Sequence, residues 1–158
     1  MFNNEEIGSG TRAGAAGPFV HNFWKRFVNS RLSDGDFYSG YAKSICCSMD
    51  GGHAYHPIKG AHSCYDPVPR IGSGIILKVA EKQTYANTDW TTSAVHLLCK
   101  NAGIPINNWI QRTYKLGGAT ISKFAQSDND LITFDCGVPM LAMHSCIEIA
   151  SLHDVAAF

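Results

Sequence analysis

The sequence predicts an α/β fold, a three-layer sandwich in which a central mixed sheet is covered by helices. Segments rich in β-branched and apolar residues alternate along the chain with segments of helical periodicity, which is the pattern of this fold class. Glycine and proline bound the expected strands. The glycine pairs at 51–52 and 117–118 stand after strands or beside polar candidate residues, where α/β folds place their functional sites.

The first expected element is an amphipathic helix from Pro18 to about Arg31. Phe19, Phe23 and Phe27 recur at a spacing that keeps them on one face of a helix. Pro18 suits the first helical turn, because its φ angle is already helical and its missing N–H needs no partner there. We therefore expect this helix to carry one apolar face.

Two strands are expected next, at 44–49 and 73–79, and both are expected to be largely buried. The second contains the run Ile75-Ile76-Leu77 followed by the β-branched Val79. Apolar runs of this length, bounded by turn residues, are typical of strands inside a sheet.

A second helix is expected from Trp90 to about Asn101. Thr88 or Asp89 can cap its first turn, and Gly103 can end it in the left-handed conformation. The residues expected to face the core are Val95, Leu98 and Cys99. The remaining elements are strands at 108–112 and 131–136 with a short helix at 119–126 between them.

Length and composition indicate one soluble globular domain. The chain has 158 residues, of which 45% are hydrophobic and 16% charged. Thirteen basic residues balance thirteen acidic ones without forming a cluster, which argues against a nucleic-acid or anionic membrane surface. Apolar stretches are far shorter than the roughly 20 residues that span a bilayer, and the first residues do not resemble a secretory signal. We expect a cytoplasmic protein.

The six cysteines are expected to be free thiols. Cys46, Cys136 and Cys146 lie inside or beside apolar runs, where a reduced cysteine behaves as a small hydrophobic residue. No C-x-x-C pair is present to hold a structural zinc ion. A small thiol or metal-binding module is therefore the least supported class of function.

Carboxylates and histidines in three segments are candidates for metal chemistry. Glu5 and Glu6 are adjacent, and in an extended chain their side chains point apart, so that one can bind a metal while the other handles a proton. Asp50 ends a strand and is followed by His53. His144 follows another strand. Each segment alone also has an ordinary interpretation: a solvated acid pair, polar loop residues, or a packed histidine.

Five motifs, in order and in spacing, resemble the aspartyl aminopeptidase (M18) family over nearly the whole chain, with looser agreement from 12 to 43. They are Phe2-Asn3-Asn4-Glu5-Glu6-Ile7-Gly8-Ser9; Ser48-Met49-Asp50-Gly51-Gly52-His53-Ala54-Tyr55-His56-Pro57; Ile76-Leu77-Lys78-Val79 with Gln83-Thr84-Tyr85-Ala86; Gly117-Gly118-Ala119-Thr120-Ile121; and the segment from Asp135 to Ser145. The resemblance implies a zinc aminopeptidase with two zinc ions in its complete site, peptide substrates and homo-oligomeric assembly.

By position, the resemblance also implies a role for seven residues. Glu5 corresponds to the general base, and Glu6, Asp50 and His144 correspond to metal ligands. The residues that correspond to substrate contacts are His53, Lys78 and Tyr85. Because Lys78 would otherwise be an unpaired cation in a buried strand, we expect it to bind the carboxylate of an N-terminal Asp or Glu.

The chain also departs from the family pattern. The family's His-x-Asp ligand motif, the aspartate that bridges its metals and an inserted dimerisation domain all precede the position of Glu5, so residues 1–158 are expected to be the C-terminal portion of a catalytic domain. Asn3 replaces the usual Asp, and Gly51-Gly52 replace bulkier residues. The alternative to an aminopeptidase is a truncated or non-catalytic homologue that acts as an assembly subunit.

Overall fold

A computed structural model describes residues 2–28, 33–59, 64–115 and 118–158. Helices and strands alternate as predicted from residue 75 to residue 137, whereas two helices in succession precede the first strand. In chain order the elements are α1 (Phe19–Val28), α2 (Asp34–Ala42), β1 (Ile45–Met49), β2 (Gly52–His53), β3 (Ile75–Val79), α3 (Asp89–Ala102), β4 (Ile106–Ile110), α4 (Ser122–Asn129), β5 (Ile132–Gly137), β6 (Pro139–Leu141), β7 (Ile149–Ala150) and α5 (Leu152–Ala157).

The central sheet is mixed, with the strand order β1-β5-β3-β4. β1 runs parallel to β5, β3 runs parallel to β4, and β3 and β5 are antiparallel. A smaller sheet, with the order β2-β6-β7, continues from the ends of β1 and β5. The expected α/β fold with a central mixed sheet and helices is confirmed.

The two faces of β3 carry separate apolar clusters. Ile75 and Leu77 point to the face covered by α3, where they pack with Val95 and Cys99. Ile76 points to the opposite face, in a cluster that also contains Tyr85, Trp109, Cys64 and Ala80. Alternate residues of a strand face opposite sides of its sheet. The next position on the face of Ile76 is therefore Lys78, a charged residue beside a core cluster.

Local sequence accounts for the position of α3. The Thr88 side chain accepts a hydrogen bond from the Thr91 N–H, and the Thr91 hydroxyl accepts one from the Thr88 N–H, which forms a capping box. Gly103 ends the helix with φ 70°. Val95 and Cys99 are buried as predicted, whereas Leu98 is exposed, so its predicted inward orientation is wrong.

Burial differs from the prediction at β1 and α1. β3 is buried, but in β1 only Ser48 is buried, because β1 lies at the edge of the central sheet. α1 forms as predicted as far as its described end, but none of its residues is buried. Its side chains Phe19, Phe23, Trp24 and Phe27 stack on one another at the surface. The predicted residues 29–31 of this helix lie outside the described part of the chain.

Two other elements are displaced from their predicted bounds. β4 begins at Ile106 rather than at 108, because pairing with β3 places Ile106 opposite Ile75. α4 begins at Ser122 rather than at 119, because the Thr120 hydroxyl is committed to Asp135 and to the Ser122 hydroxyl. Tertiary contacts set the first residues of β4 and α4, so the periodicity of the local sequence could not predict them.

All six cysteines are free thiols, as predicted. Cys64, Cys99 and Cys136 are buried, and Cys46 is partly buried. Cys146, which was expected in an apolar environment, is exposed. Among the described residues, no helix is both long enough and apolar enough to cross a bilayer.

The C-terminal helix α5 is tied to the loop before β3 by one buried carboxylate. Asp154 is 2% exposed, and its two oxygens accept hydrogen bonds from the N–H groups of Gly72 at 2.7 Å and Gly74 at 2.8 Å. Ser151 caps the same helix. These contacts hold the chain beyond β7 against the start of β3.

Gly137, at the end of β5, has no room for a side chain. A Cβ at this position would overlap the backbone carbonyl oxygen of Asp50, which follows β1. By contrast, a Cβ at Gly40, inside α2, would meet no atom within 4 Å. Gly137 thus allows the ends of β1 and β5 to approach closely, and this approach fixes the backbone that carries the Asp50 side chain.

We expect Gly137→Ala to lower the free energy of unfolding by about 2 to 3 kcal/mol, because a rigid backbone oxygen must move. The control, Gly40→Ala, should leave stability unchanged or raise it by about 0.5 to 1 kcal/mol, since alanine is the better helix former. Urea denaturation of both variants would measure this. Equal stabilities would contradict the close approach at Gly137.

Candidate active site

One cleft at the end of the central sheet brings together all the residues predicted to form the site. Its volume is about 590 Å³. The seven predicted residues that line it are Glu5, Glu6, Asp50, His53, Lys78, Tyr85 and His144. Glu5 and His144 are far apart in sequence, so the fold rather than local sequence assembles this group.

A row of side chains that crosses all four strands of the central sheet lies at and below the floor of the cleft. Ser48 on β1 pairs with Asp135 on β5, and Lys78 on β3 pairs with Trp109 on β4. The antiparallel pairing of Leu77 with Cys136 makes Lys78 and Asp135 the next cross-strand neighbours. Strand register therefore places a cation beside an anion inside the sheet.

The Lys78 ammonium is buried between two carboxylates. Its side chain is 3% exposed, and Nζ lies 3.1 Å from Asp50 Oδ2 and 3.0 Å from Asp135 Oδ1. Nζ also lies 5.4 Å from the centre of the Tyr85 ring, a cation–π contact. The ammonium lines the cleft and does not extend to the outer surface, which excludes a simple surface ion pair.

Asp135 is held by hydrogen bonds to both its side chain and its backbone. It is 0% exposed, and its Oδ2 accepts hydrogen bonds from the Ser48 hydroxyl at 2.8 Å and from the Thr120 hydroxyl. Its backbone N–H donates to Asn87 Oδ1, while Asn87 Nδ2 donates to the Lys78 carbonyl at 2.6 Å. Asn87 therefore joins β3 and β5 at the point where the two charges meet.

Glu6 and His144 meet at the mouth of the cleft. Glu6 Oε1 lies 2.9 Å from His144 Nε2, and both side chains are about two-thirds exposed. His144 adopts a left-handed conformation, with φ 66°, and its N–H donates to Glu148 Oε1 at 2.6 Å. A strongly bent loop after β6 thus turns the imidazole toward Glu6.

Glu5 lies in the same electrostatic environment. Partial burial raises the pKa of the Glu5 carboxyl above its usual value, and the charges of Glu6 and Asp50 raise it further. The charges of His144 and Lys78 oppose this rise. The three predicted metal ligands, Glu6, Asp50 and His144, therefore all influence the pKa of Glu5.

Tyr85 and His53 form the wall next to Lys78. Burial, together with the charges of Asp135 and Asp50, raises the pKa of the Tyr85 hydroxyl to about 12. Trp109 stacks edge-on against Tyr85 and donates its Nε1–H to the His53 carbonyl oxygen at 3.0 Å. The ring of Tyr85 is thus a neutral, buried surface beside the ammonium.

Close packing requires glycine at both positions directly before His53. A Cβ at Gly51 would overlap the Met140 side chain, and a Cβ at Gly52 would overlap Ile76 and approach Lys78 Cε within 3.6 Å. The backbone after Asp50 therefore packs directly on the side chains below it. Larger residues here would require a different floor of the cleft.

The chemistry of the donors suits zinc, although the described residues do not complete a site. Glu6 and His144 offer the carboxylate and imidazole donors that zinc accepts, and their contact of 2.9 Å brings them onto one position. Asp50 offers a further carboxylate, now paired with Lys78. Among the residues that the structure describes, no group of three or more candidate ligands is close enough to hold a metal ion.

Two acidic residues, one lining the cleft and one below it, had no role assigned from the sequence. Glu148 lines the cleft and binds the His144 backbone. Asp135 lies below the cleft, against Lys78. An acid inside a buried strand was a usable signal for Asp135, because such a charge requires a partner. Glu148 lies in a polar loop and gave no comparable signal.

Similar proteins were found by comparison of sequence and of structure. The family Aminopeptidase I zinc metalloprotease (M18) matches residues 1–158. A probable M18 family aminopeptidase 2 from Clostridium novyi is 35% identical over 156 residues, which are 97% of this chain but 36% of that relative. The chain thus spans about a third of the length of the curated relatives it matches.

Two solved structures illustrate the likeness of fold. The structure of the Ape4 and Nbr1 complex is similar with a TM-score of 0.89 and 28% identity, over 97% of this chain and 29% of that one. The S. cerevisiae mApe1 dodecamer is similar with a TM-score of 0.80 and 26% identity, over 99% of this chain and 34% of that one. The chain belongs to the M18 family of zinc metalloprotease aminopeptidases.

Proposed function

We propose that the protein containing this chain is a zinc-dependent aminopeptidase that removes an acidic residue, Asp or Glu, from the N-terminus of peptides. The observation that carries the proposal is the meeting of Glu5, Glu6, Asp50, His144 and Lys78 at one cleft. Membership of the M18 family supports the reaction class. The buried ammonium supports the choice of an acidic side chain.

Glu6 and His144 are proposed as ligands of one zinc ion, and Asp50 as a ligand of a second. When bound, zinc supplies Lewis acidity that activates water and polarises a scissile carbonyl. Glu6 Oε1 and His144 Nε2 already face one another at 2.9 Å, so little movement is needed to direct both at one cation. Asp50 is about half exposed, at 46%, and can turn from Lys78 toward the cleft.

Glu5 is proposed as the general base. It lies beside Glu6 in sequence and lines the same cleft, so its carboxylate can reach a water molecule held next to the ligands. It would accept the proton of that water and deliver it to the leaving amine. A separate acid for this step leaves the neighbouring Glu6 free to remain a ligand.

Lys78 is proposed to bind the substrate's acidic side chain. A carboxylate that enters a closed cleft loses water, and a charge-assisted hydrogen bond recovers about 1.5 to 3 kcal/mol of that loss. Tyr85 and His53 would form the walls around the same side chain. A neutral side chain would gain nothing from the ammonium.

Residues 1–158 are proposed to be the C-terminal portion of a catalytic domain, whose other metal ligands lie elsewhere in the protein. The share of the relatives that the chain covers, 36%, supports this division. Homo-oligomeric assembly is proposed because a similar structure is a dodecamer. Free thiols support a cytoplasmic location. A truncated or non-catalytic homologue that serves as an assembly subunit remains the rival proposal.

The 158 residues alone should bind zinc weakly and catalyse poorly. Glu6 and His144 would supply two ligands to one ion and Asp50 one to the other, whereas catalytic zinc normally has three protein ligands. Metal analysis after dialysis would measure this, with His144→Ala as the control that removes the remaining binding. Two tightly held zinc ions per chain, with the rest of the enzyme absent, would refute the proposed division of ligands.

Lys78→Met in the full-length enzyme should reduce hydrolysis of N-terminal Asp or Glu far more than that of N-terminal Leu or Ala. Methionine has a similar length but no charge, so only the acidic substrate loses a partner. The ratio of the two kcat/KM values should fall about tenfold or more. An unchanged ratio, with both activities reduced together, would mean that Lys78 acts through stability and does not bind the substrate.

A further inference from the structure

Asp135 and Asp50 compete for the Lys78 ammonium, but they differ in freedom to move. Asp50 is 46% exposed at the cleft, whereas Asp135 has no exposed surface. Ser48 and Thr120 both donate to Oδ2 of Asp135, which leaves Oδ1 directed at Lys78. Asp135 is thus the fixed partner of the ammonium, and Asp50 is the movable one.

The buried oxygen of Asp135 depends on this ammonium. Among the described residues, no hydrogen bond of good geometry reaches Oδ1, and Nζ at 3.0 Å is the close positive charge. A buried carboxylate without a compensating charge is strongly unfavourable. We therefore expect the contact between Asp135 and Lys78 to persist when Asp50 moves away from the ammonium. The contact therefore defines where the ammonium sits.

We propose that Asp135 is a positioning residue, which keeps the Lys78 ammonium at the floor of the cleft when Asp50 turns to a metal ion, and thereby sets the preference for acidic substrates. The inference rests on the proposed function, in which Lys78 binds the substrate carboxylate. Without the charge at Asp135, Asp50 is the nearest remaining anion. The ammonium would then stay on Asp50 and be withheld from the substrate.

The test is Asp135→Asn in the full-length, zinc-loaded enzyme. Asparagine keeps the size of the side chain and an oxygen that accepts from Ser48 and Thr120, but it removes the charge. The ratio of kcat/KM for an N-terminal Asp substrate to that for an N-terminal Leu substrate should fall about tenfold. The fall should come mainly from a higher KM for the acidic substrate.

Two further variants separate positioning from stability. Ser48→Ala removes one hydrogen bond to Asp135 but keeps both charges and the hydrogen bond from Thr120, so it should lower the melting temperature and reduce the substrate ratio much less than Asp135→Asn does. In a Lys78→Met background, Asp135→Asn should cause no further change in the ratio, because its effect passes through the ammonium. Where Asp135→Asn does not fold, Asp135→Ser, which keeps a smaller polar group, takes its place with the same expectations.

Several results would overturn the proposal. They are an unchanged substrate ratio in Asp135→Asn, an equal loss of activity toward both substrates, or a fall in the ratio that persists without Lys78. The proposed function is tested separately by Lys78→Met. If that variant changes the ratio and Asp135→Asn does not, only the positioning role fails. If Lys78→Met leaves the ratio unchanged, the acidic preference fails first and the positioning role with it.

Discussion

The cleft depends on one buried ion group, the Lys78 ammonium between Asp50 and Asp135. A lysine side chain is rarely taken out of water, because the loss of hydration must be matched by charges close at hand. Here the match is made by strand register, which brings an acid from β5 beside a lysine from β3. A shift of one residue in either strand would turn its charge to the opposite face of the sheet and separate it from its partner.

This ion group also connects the two halves of the proposed chemistry. One ammonium faces two carboxylates, so the group carries an excess of negative charge toward the cleft. A cation bound by Asp50 would remove one competitor for Lys78 and would make the ammonium more available to an acidic ligand. Metal binding and substrate binding are then favourable to one another, and this coupling is reciprocal by thermodynamic necessity. A cleft with uncharged residues in place of this ion group would not couple metal binding to substrate binding.

Sequence motifs predicted which residues meet at the cleft, but not how they are held. Glu6 and His144 were both assigned as metal ligands by resemblance, and the fold brings Glu6 Oε1 within 2.9 Å of His144 Nε2. Asp135 was part of a quoted motif without an assigned role, because its importance arises from register with Lys78 and Ser48 rather than from its neighbours in sequence. β1 was expected to be buried from its apolar residues, yet position at a sheet edge is a property of strand order and leaves no local trace. The capping residues of α3, by contrast, act within one helical turn, so they could be predicted from the local sequence.

The order of strands has a consequence for the path by which the chain folds. β3, α3 and β4 follow one another directly and form a local parallel unit, whereas β1 pairs with β5, whose Asp135 lies 87 residues beyond Ser48. At about 5 to 20 residues per second, a ribosome needs on the order of 4 to 17 s to deliver the missing partner. We expect the edge of β1 that pairs with β5 to stay unpaired through that interval, which leaves it open to incorrect strand pairing.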